Sequence, residues 1–268
     1  TAPALVDPFA KLYRQRWMRT SFHPAGNVTL VMRHSPSYNG TMLRLDRILA
    51  NRGYCTRSQA KEFLQLHDVA AAGKPVTDGS VKVDPQSLTI DETAIDPEIL
   101  LILLHKPMDY VCSHREHGSL IYDLLPERWR FRNPKLASVG RLDKDTTGLL
   151  LITDDGELLH RLTSPKKHVP RVYVATLDRK LNGTEADLFQ SGTLMLDDED
   201  KPLLPAEMQV IDETRARLTL HEGRYHQVRR MFAATGNHVI ALHREAFGSI
   251  TLEGLNPGEY RLLDPEAP

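Results

Sequence analysis

The densest polar run in the chain is Gly140–Arg141–Leu142–Asp143–Lys144–Asp145–Thr146–Thr147–Gly148, which lies between apolar stretches. Its glycines permit a tight path or a close substrate approach. Asp143 sits beside Arg141, Lys144 and Asp145. A carboxylate in that setting can serve as nucleophile or general base. An Asp that merely bonds turn amides would leave the same trace. The Asp-x-Asp-Thr string also fits an aspartate-dependent phosphatase. That chemistry wants an apolar strand to aim the first Asp and a magnesium site, and Val139–Gly140–Arg141–Leu142 makes a poor strand. A second cluster, Glu222–Gly223–Arg224–Tyr225–His226–Gln227–Val228–Arg229–Arg230–Met231, joins a glycine turn to an amphipathic helix. His226, Arg229 and Arg230 fall at i, i+3 and i+4 and so share one basic side. Arginine forks onto phosphate or carboxylate alike, so a salt-bridged solvent face fits as well as a binding face. His226 suits a base or an ordinary hydrogen-bonding residue. In Arg171–Val172–Tyr173–Val174 the two-residue alternation puts Arg171 and Tyr173 on one strand face. A tyrosine there can stack a base and offer its hydroxyl, or simply pack in the core.

The elements that must carry these residues can be read from periodicity and breakers. Residues 1–41 hold Lys11, Arg14, Arg16, Arg19 and Arg33 against Asp7, with little periodicity, and read as a loosely ordered extension. Residues 42–95 read as a small separate module. In it Leu43, Leu45, Ile48 and Leu49 fit one side of a first helix that Gly53 ends. Thr56 followed by Gln59 matches a capping box for a second helix running to Leu66. Short β-like pieces follow around Val69, Val81–Val83 and Leu88–Ile90. The polar segment Asp91–Pro97 reads as a linker, and 96–268 as the larger domain. There Ile99–Leu104 predicts a buried strand stopped by Lys106–Pro107. A helix is predicted over Thr153–Leu162 and a strand over Val172–Leu177. Glu207–Ile211 and Arg215–Leu220 read as paired strands, and Gln227–Thr235 as a helix stopped by Gly236. The parts indicate an α+β fold with antiparallel sheet. No regular β-helix-β cadence supports a doubly wound one.

Composition narrows the function classes. Of 268 residues 41% are apolar and 26% charged, which fits a globular chain and excludes wholesale disorder. Lys plus Arg is 34 and Asp plus Glu 35, for a formal net charge of -1, so a histone-like polycation is excluded. The near-neutral total hides segregation. Residues 130–180 and 215–244 are each net +5, and 182–212 net −7. Basic stretches that converge would form a phosphate-facing cleft. The apolar run Ile99–Leu104 is far below the ~20 residues of a membrane helix, so no span is expected. No secretory h-region stands out at the amino end. Cys55 and Cys112 cannot build a disulfide scaffold, and a reducing compartment, the cytoplasm, is the simpler expectation. No CxxC pair, HExxH or EF-hand loop suggests a metal.

Taken together, the clusters resemble those of bacterial small-subunit ribosomal RNA pseudouridine synthases of the RsuA-like branch, over about 42–264. Arg44–Leu45–Asp46–Arg47–Ile48–Leu49–Ala50 with Thr56–Arg57–Ser58–Gln59–Ala60 resembles the start of an S4-type RNA-binding domain. His105–Lys106–Pro107 resembles the family's entry motif, Gly140–Gly148 its catalytic loop and Glu222–Met231 its late basic motif. The resemblance implies an S4-like domain over 42–95 and a catalytic domain over 96–268. It implies that Asp143 is the catalytic aspartate, Tyr173 the active-site tyrosine and Arg229 the basic partner of Asp143. Arg141 would fill the space left by a flipped uridine. Lys106, Arg224, His226, Arg230, Arg44 and Arg57 are further candidates for RNA contact, with Lys106 and Arg224 suited equally to a structural contact. Leu162–Thr163–Ser164–Pro165 and Tyr225–His226–Gln227 look like the small-subunit branch, since large-subunit relatives tend to carry Asn-Arg in place of Tyr225–His226. That branch implies the uridine at position 516 of 16S ribosomal RNA. The chain departs from the family pattern at Leu66–His67–Asp68, where glycine and basic residues are common, and at Pro170–Arg171, which replaces an acidic–Lys pair.

The implied reaction turns uridine into pseudouridine within RNA and requires the base to leave its stack. It needs no cofactor and no metal. The expected partner is 16S ribosomal RNA or the assembling 30S subunit, with no membrane and no obligatory protein partner. A noncatalytic RNA-binding ribosome-assembly protein is the main alternative, and the phosphatase a third.

Overall fold

The computed structural model describes residues 41–114 and 117–266. The extension expected over 1–41 therefore lies outside the described residues, Thr41 excepted. Among the described residues no helix is long and apolar enough to cross a membrane.

Near the amino end, helices α1 (Leu45–Asn51) and α2 (Ala60–Leu66) pack on strands β1 (Val69–Ala71) and β2 (Leu88–Ile90). Helix α1 starts later than the apolar spacing suggests. Leu43 and Arg44 are extended and pair with Val83 and Lys82, which takes Leu43 out of the helix. Before α2 the Thr56 amide donates to Gln59 Oε1 at 3.1 Å, the contact that the Thr–Gln spacing predicts. Strands β1 and β2 form the middle of a four-stranded sheet whose edges are Lys74–Pro75 and Thr93–Ala94. Leu45, Leu49, Phe63, Leu88 and Ile90 close the core of this part.

The segment read as a linker is gripped. The Asp96 carboxylate accepts from Arg128 Nε and Nη2 and from Trp129 Nε1, each at 2.8 Å. Its amide donates to Tyr54 Oη at 2.9 Å. Close by, the buried Arg132 pairs with Asp154 at 2.6 Å and donates to the carbonyls of Pro97 and Glu98. Gly53 (φ +80°) lies where a Cβ would come within 2.2 Å of the Arg128 carbonyl, so the close approach requires glycine.

The rest of the chain is organised by one mixed sheet. Its strands are β3 (Leu101–Lys106), β4 (Thr146–Thr153), β5 (Arg171–Leu177), β6 (Glu207–Asp212), β7 (Arg215–Leu220), β8 (Val239–Phe247) and β9 (Tyr260–Leu263). Their order across the sheet is β6-β7-β5-β8-β4-β3-β9. The expected antiparallel character holds for every pairing on this path except β4 with β8, which run parallel through Thr146–Leu242, Thr147–His243 and Gly148–Arg244. Helices α3 (Gly156–Thr163), α4 (Glu185–Gln190) and α5 (Gln227–Ala234) cover the faces. Leu150 and Ile152 enter one core, Leu149 and Leu151 another. Covered on both faces, β4 reads as a continuous apolar run rather than an alternating one. That is why the predicted helix over Thr153–Leu162 begins too early. Thr153 ends β4, and the Asp155 side chain caps α3 by accepting from the amides of Glu157 and Leu158. Strands β4, β8 and β9 and helix α4 have no counterpart among the predicted elements.

Candidate active site

The Gly140–Gly148 run leads into β4, and its backbone is fixed from below. Lys106 ends β3 and is fully buried. Its ammonium donates to the carbonyls of Thr146 (2.8 Å), Pro107 (3.1 Å) and Lys144 (3.2 Å). The Asp109 amide also bonds the Lys144 carbonyl, at 2.9 Å, and Cys112 Sγ bonds that of Leu142, at 3.3 Å. With Leu142 anchored in the core, Asp143 is left half-exposed between the exposed Arg141 and Lys144. Burial pushes the Lys106 ammonium below its usual pKa, while the nearby carboxylates of Asp145 and Asp143 pull the other way. Lys106 was expected to make a phosphate contact with RNA or a structural one. With no exposed surface and three carbonyl partners, it is built into the support of the loop.

At the loop's end Gly148 (φ +112°) meets β8. A Cβ there would lie 2.3 Å from the Arg244 carbonyl and 2.6 Å from its amide. The parallel crossing therefore requires glycine, and it sets the loop beside the strand that pairs with β5.

Tyr173 stands on β5 opposite Leu218 of β7 and Arg244 of β8. It packs between two of the apolar clusters. The Arg244 guanidinium lies 6.0 Å from the Tyr173 ring centroid and 5.7 Å from that of Phe247, and its Nε donates to the Leu149 carbonyl at 2.6 Å. This buried cation was missed in the sequence reading. Its signal, an arginine at a buried position of a strand, exists only once β8 is known to be a strand.

Asp143, Tyr173 and Arg229 line one open cleft of about 470 Å³, together with Arg141, Arg224 and His226. The expected pairing within it is different. Arg229 Nη2 lies 2.9 Å from Asp145 Oδ2, and Nη1 donates to the Val239 carbonyl at 2.9 Å. Its Nε makes no hydrogen bond. The side chain beside Asp143 is His226, with Nε2 3.2 Å from Oδ1. The position of α5 explains both. Its first turn crosses the loop so that His226, just ahead of the helix, reaches Asp143, while Arg229 one turn later meets Asp145. The Asp143 carboxylate takes no turn amide as partner, unlike a purely structural turn Asp.

The remaining candidates divide by place. Arg224 pairs with Glu222 at 3.0 Å and with Glu199. Arg230 pairs with Glu199 at 3.2 Å and donates to the Asp197 carbonyl. The acidic and basic stretches thus partly neutralise one another beside the cleft. Arg44 and Arg57 belong to the amino-terminal part and not to this cleft. Both reach Asp46, at 2.8 and 3.4 Å. The Arg44 hydrogen bonds hold the Asp46 carboxyl down at about 2.

Comparison with known proteins settles the class. A family model described as RNA pseudouridylate synthase matches residues 100–234, and one described as S4 domain matches 43–88. The chain belongs to the RNA pseudouridylate synthase family. Its relatives include a ribosomal small subunit pseudouridine synthase A from Yersinia pestis, 42% identical over 84% of this chain and 96% of the relative. The protein of that description from Escherichia coli K12 is 40% identical over 84% and 97%. A solved structure described as a pseudouridylate synthase is similar at 38% identity, over 84% of this chain and 97% of that one, with a TM-score of 0.58. The chain is therefore an RNA pseudouridine synthase with an S4 domain, of α+β class, and the phosphatase and noncatalytic alternatives are set aside.

Proposed function

We propose that the chain converts a uridine of small-subunit ribosomal RNA, the one at position 516 of 16S RNA, to pseudouridine, with Asp143 as the reacting carboxylate. The observation that carries the reading is the convergence of Asp143, Tyr173 and Arg229, 86 residues apart at the extremes, on one cleft. The two small-subunit relatives support the choice of RNA.

The target uridine leaves its stack and enters the cleft. The Asp143 carboxylate, ionised and oriented by the cations around it, acts at the bond between N1 and C1′. It does so either by covalent addition or by assisting formation of a glycal. The N1–C1′ bond breaks with its electron pair on the uracil. The ring turns, C5 bonds to C1′, and the proton lost from C5 is balanced by one gained at N1. Tyr173 packs against the turning uracil beside the site of C5 deprotonation. Arg229 stabilises negative charge on the carboxylates, and Arg141 occupies the gap in the RNA stack. These side chains supply the steps by themselves, so the proposal includes no cofactor or metal. Residues 42–95 act as the RNA-binding domain and 96–268 as the catalytic one. The substrate is 16S RNA alone or within an assembling 30S subunit, which puts the enzyme's work in the cytoplasm.

The test is to incubate the protein with unmodified 16S RNA or a partly assembled 30S particle and map carbodiimide-dependent pseudouridine stops. A new stop at position 516 is expected with the wild-type chain and none with Asp143→Asn. Turnover by Asp143→Asn at the wild-type rate would remove Asp143 from its role.

A further inference from the structure

Tyr225 is 75% exposed at the edge of the cleft, which leaves an aromatic face open to a ligand. One face of its ring is covered by the imidazole of His226, with centroids 3.8 Å apart and planes at 17°. No other ring contact to Tyr225 is present among the described residues. His226 itself has a left-handed backbone (φ +47°, ψ 35°) immediately before α5. That conformation is costly for a residue with a Cβ, and strain of this kind gathers at functional sites. Here it turns the imidazole into the cleft, with Nε2 3.2 Å from Asp143 Oδ1. A continuous line of contact thus runs from an open aromatic face, through His226, to the carboxylate assigned to the chemistry.

We propose that an unpaired RNA base next to the target uridine stacks on the outer face of Tyr225, and that the resulting base–Tyr225–His226 stack holds the imidazole against Asp143. The inference rests on the RNA-isomerase reading and adds a recognition element to it. Extruding one nucleotide strips its neighbours of a stacking partner, and an exposed aromatic ring replaces that partner for any base. Tyr225 then contacts substrate, and His226 is a positioning residue. The order of events follows: a base seated on Tyr225 restrains the imidazole, so Asp143 is fixed once RNA is correctly engaged.

The experiment titrates the full chain into a 16S RNA fragment carrying 2-aminopurine on the 5′ or the 3′ side of the target uridine. Pseudouridine formation is measured in the same reactions. The wild-type chain and Tyr225→Phe should quench the probe at one of the two positions. Tyr225→Leu should leave it bright and bind about tenfold more weakly, the size of one base–aromatic stack. At saturating RNA, single-turnover isomerisation should fall severalfold in Tyr225→Leu and recover in Tyr225→Phe. His226→Ala should lower the same rate by a larger factor than it weakens binding, and His226→Gln, which keeps a side-chain donor, should recover part of the rate. Equal quenching and affinity for Tyr225→Leu, or no quenching by the wild-type chain at either position, overturns the stack. Lost quenching with an unchanged single-turnover rate overturns the coupling to Asp143. Quenching without pseudouridine from the wild-type chain would count against the isomerase reading and leave the stack standing.

Discussion

A carboxylate that is to react at a ribose carbon has to stay ionised and keep an oxygen accessible. Asp143 is half-exposed, has His226 at 3.2 Å from one oxygen, and gives none of its lone pairs to turn amides. Its placement depends on a residue that never faces the cleft. Lys106 ties three carbonyls around the loop with a single ammonium; that of Thr146 is buried, while that of Lys144 keeps the Asp109 amide. A buried acceptor left without a partner costs roughly 1–3 kcal/mol. Lys106→Met is therefore expected to lower the unfolding free energy by roughly 1–3 kcal/mol, and to reduce turnover further than RNA affinity. Urea melts and a comparison of kcat with KM check both parts. A urea midpoint at the wild-type value would show that the ammonium does not hold the loop. The motif around Asp143, Tyr173 and Arg229 was readable because each lies within a short string of fixed residue types. The partners of those residues were not, because an ion pair is settled by a few ångströms of relative placement between α5 and a loop some 80 residues earlier.

At the scale of elements the crossing of β4 and β8 matters most. It is the parallel pairing that sets the catalytic loop beside the strand neighbouring Tyr173. Gly148 permits it, since a Cβ would strike the Arg244 backbone at 2.3 Å and the residue's φ is positive. Backbone cannot yield as a flexible side chain does. Gly148→Ala is expected to destabilise the chain by roughly 2–4 kcal/mol, combining a left-handed penalty with displacement of β8. Thermal or urea unfolding would detect it, and a change under 0.5 kcal/mol would mean that the strands part without strain. Helices α1, α2 and α5 were legible from apolar spacing because their faces are half wet. Strand β4 was not, because burial on both faces erases the alternation that marks a strand.

For the whole molecule the joint between the amino-terminal part and the large sheet is made by buried polar contacts. Asp96 makes three charge-assisted hydrogen bonds there, and Arg132 with Asp154 ties the next residues down. Asp96→Ala strands Arg128 and the Trp129 indole in a mostly buried place. A loss of roughly 2–4 kcal/mol is expected, together with new proteolytic cleavage within residues 91–99. Limited digestion followed by mass spectrometry reads the second effect directly. Resistance equal to that of the wild-type chain would show that the segment is held by other contacts. The polar composition of Asp91–Pro97 suggested a linker and not its anchoring, because surface solvation and buried ion pairing draw on the same residue types.

By itself, the amino-acid sequence determined which family's motifs its polar clusters spell and which helices form around them. Those properties depend on residues a few positions apart, where covalent geometry sets the spacing. Only the tertiary structure decided that Arg229 meets Asp145, that His226 meets Asp143, that Lys106 lies beneath the loop and that Arg244 sits under Tyr173. Each of these joins elements distant in the chain. Which elements meet is decided by the shared burial of their apolar faces, and the ion pairs follow from where that packing leaves the charges.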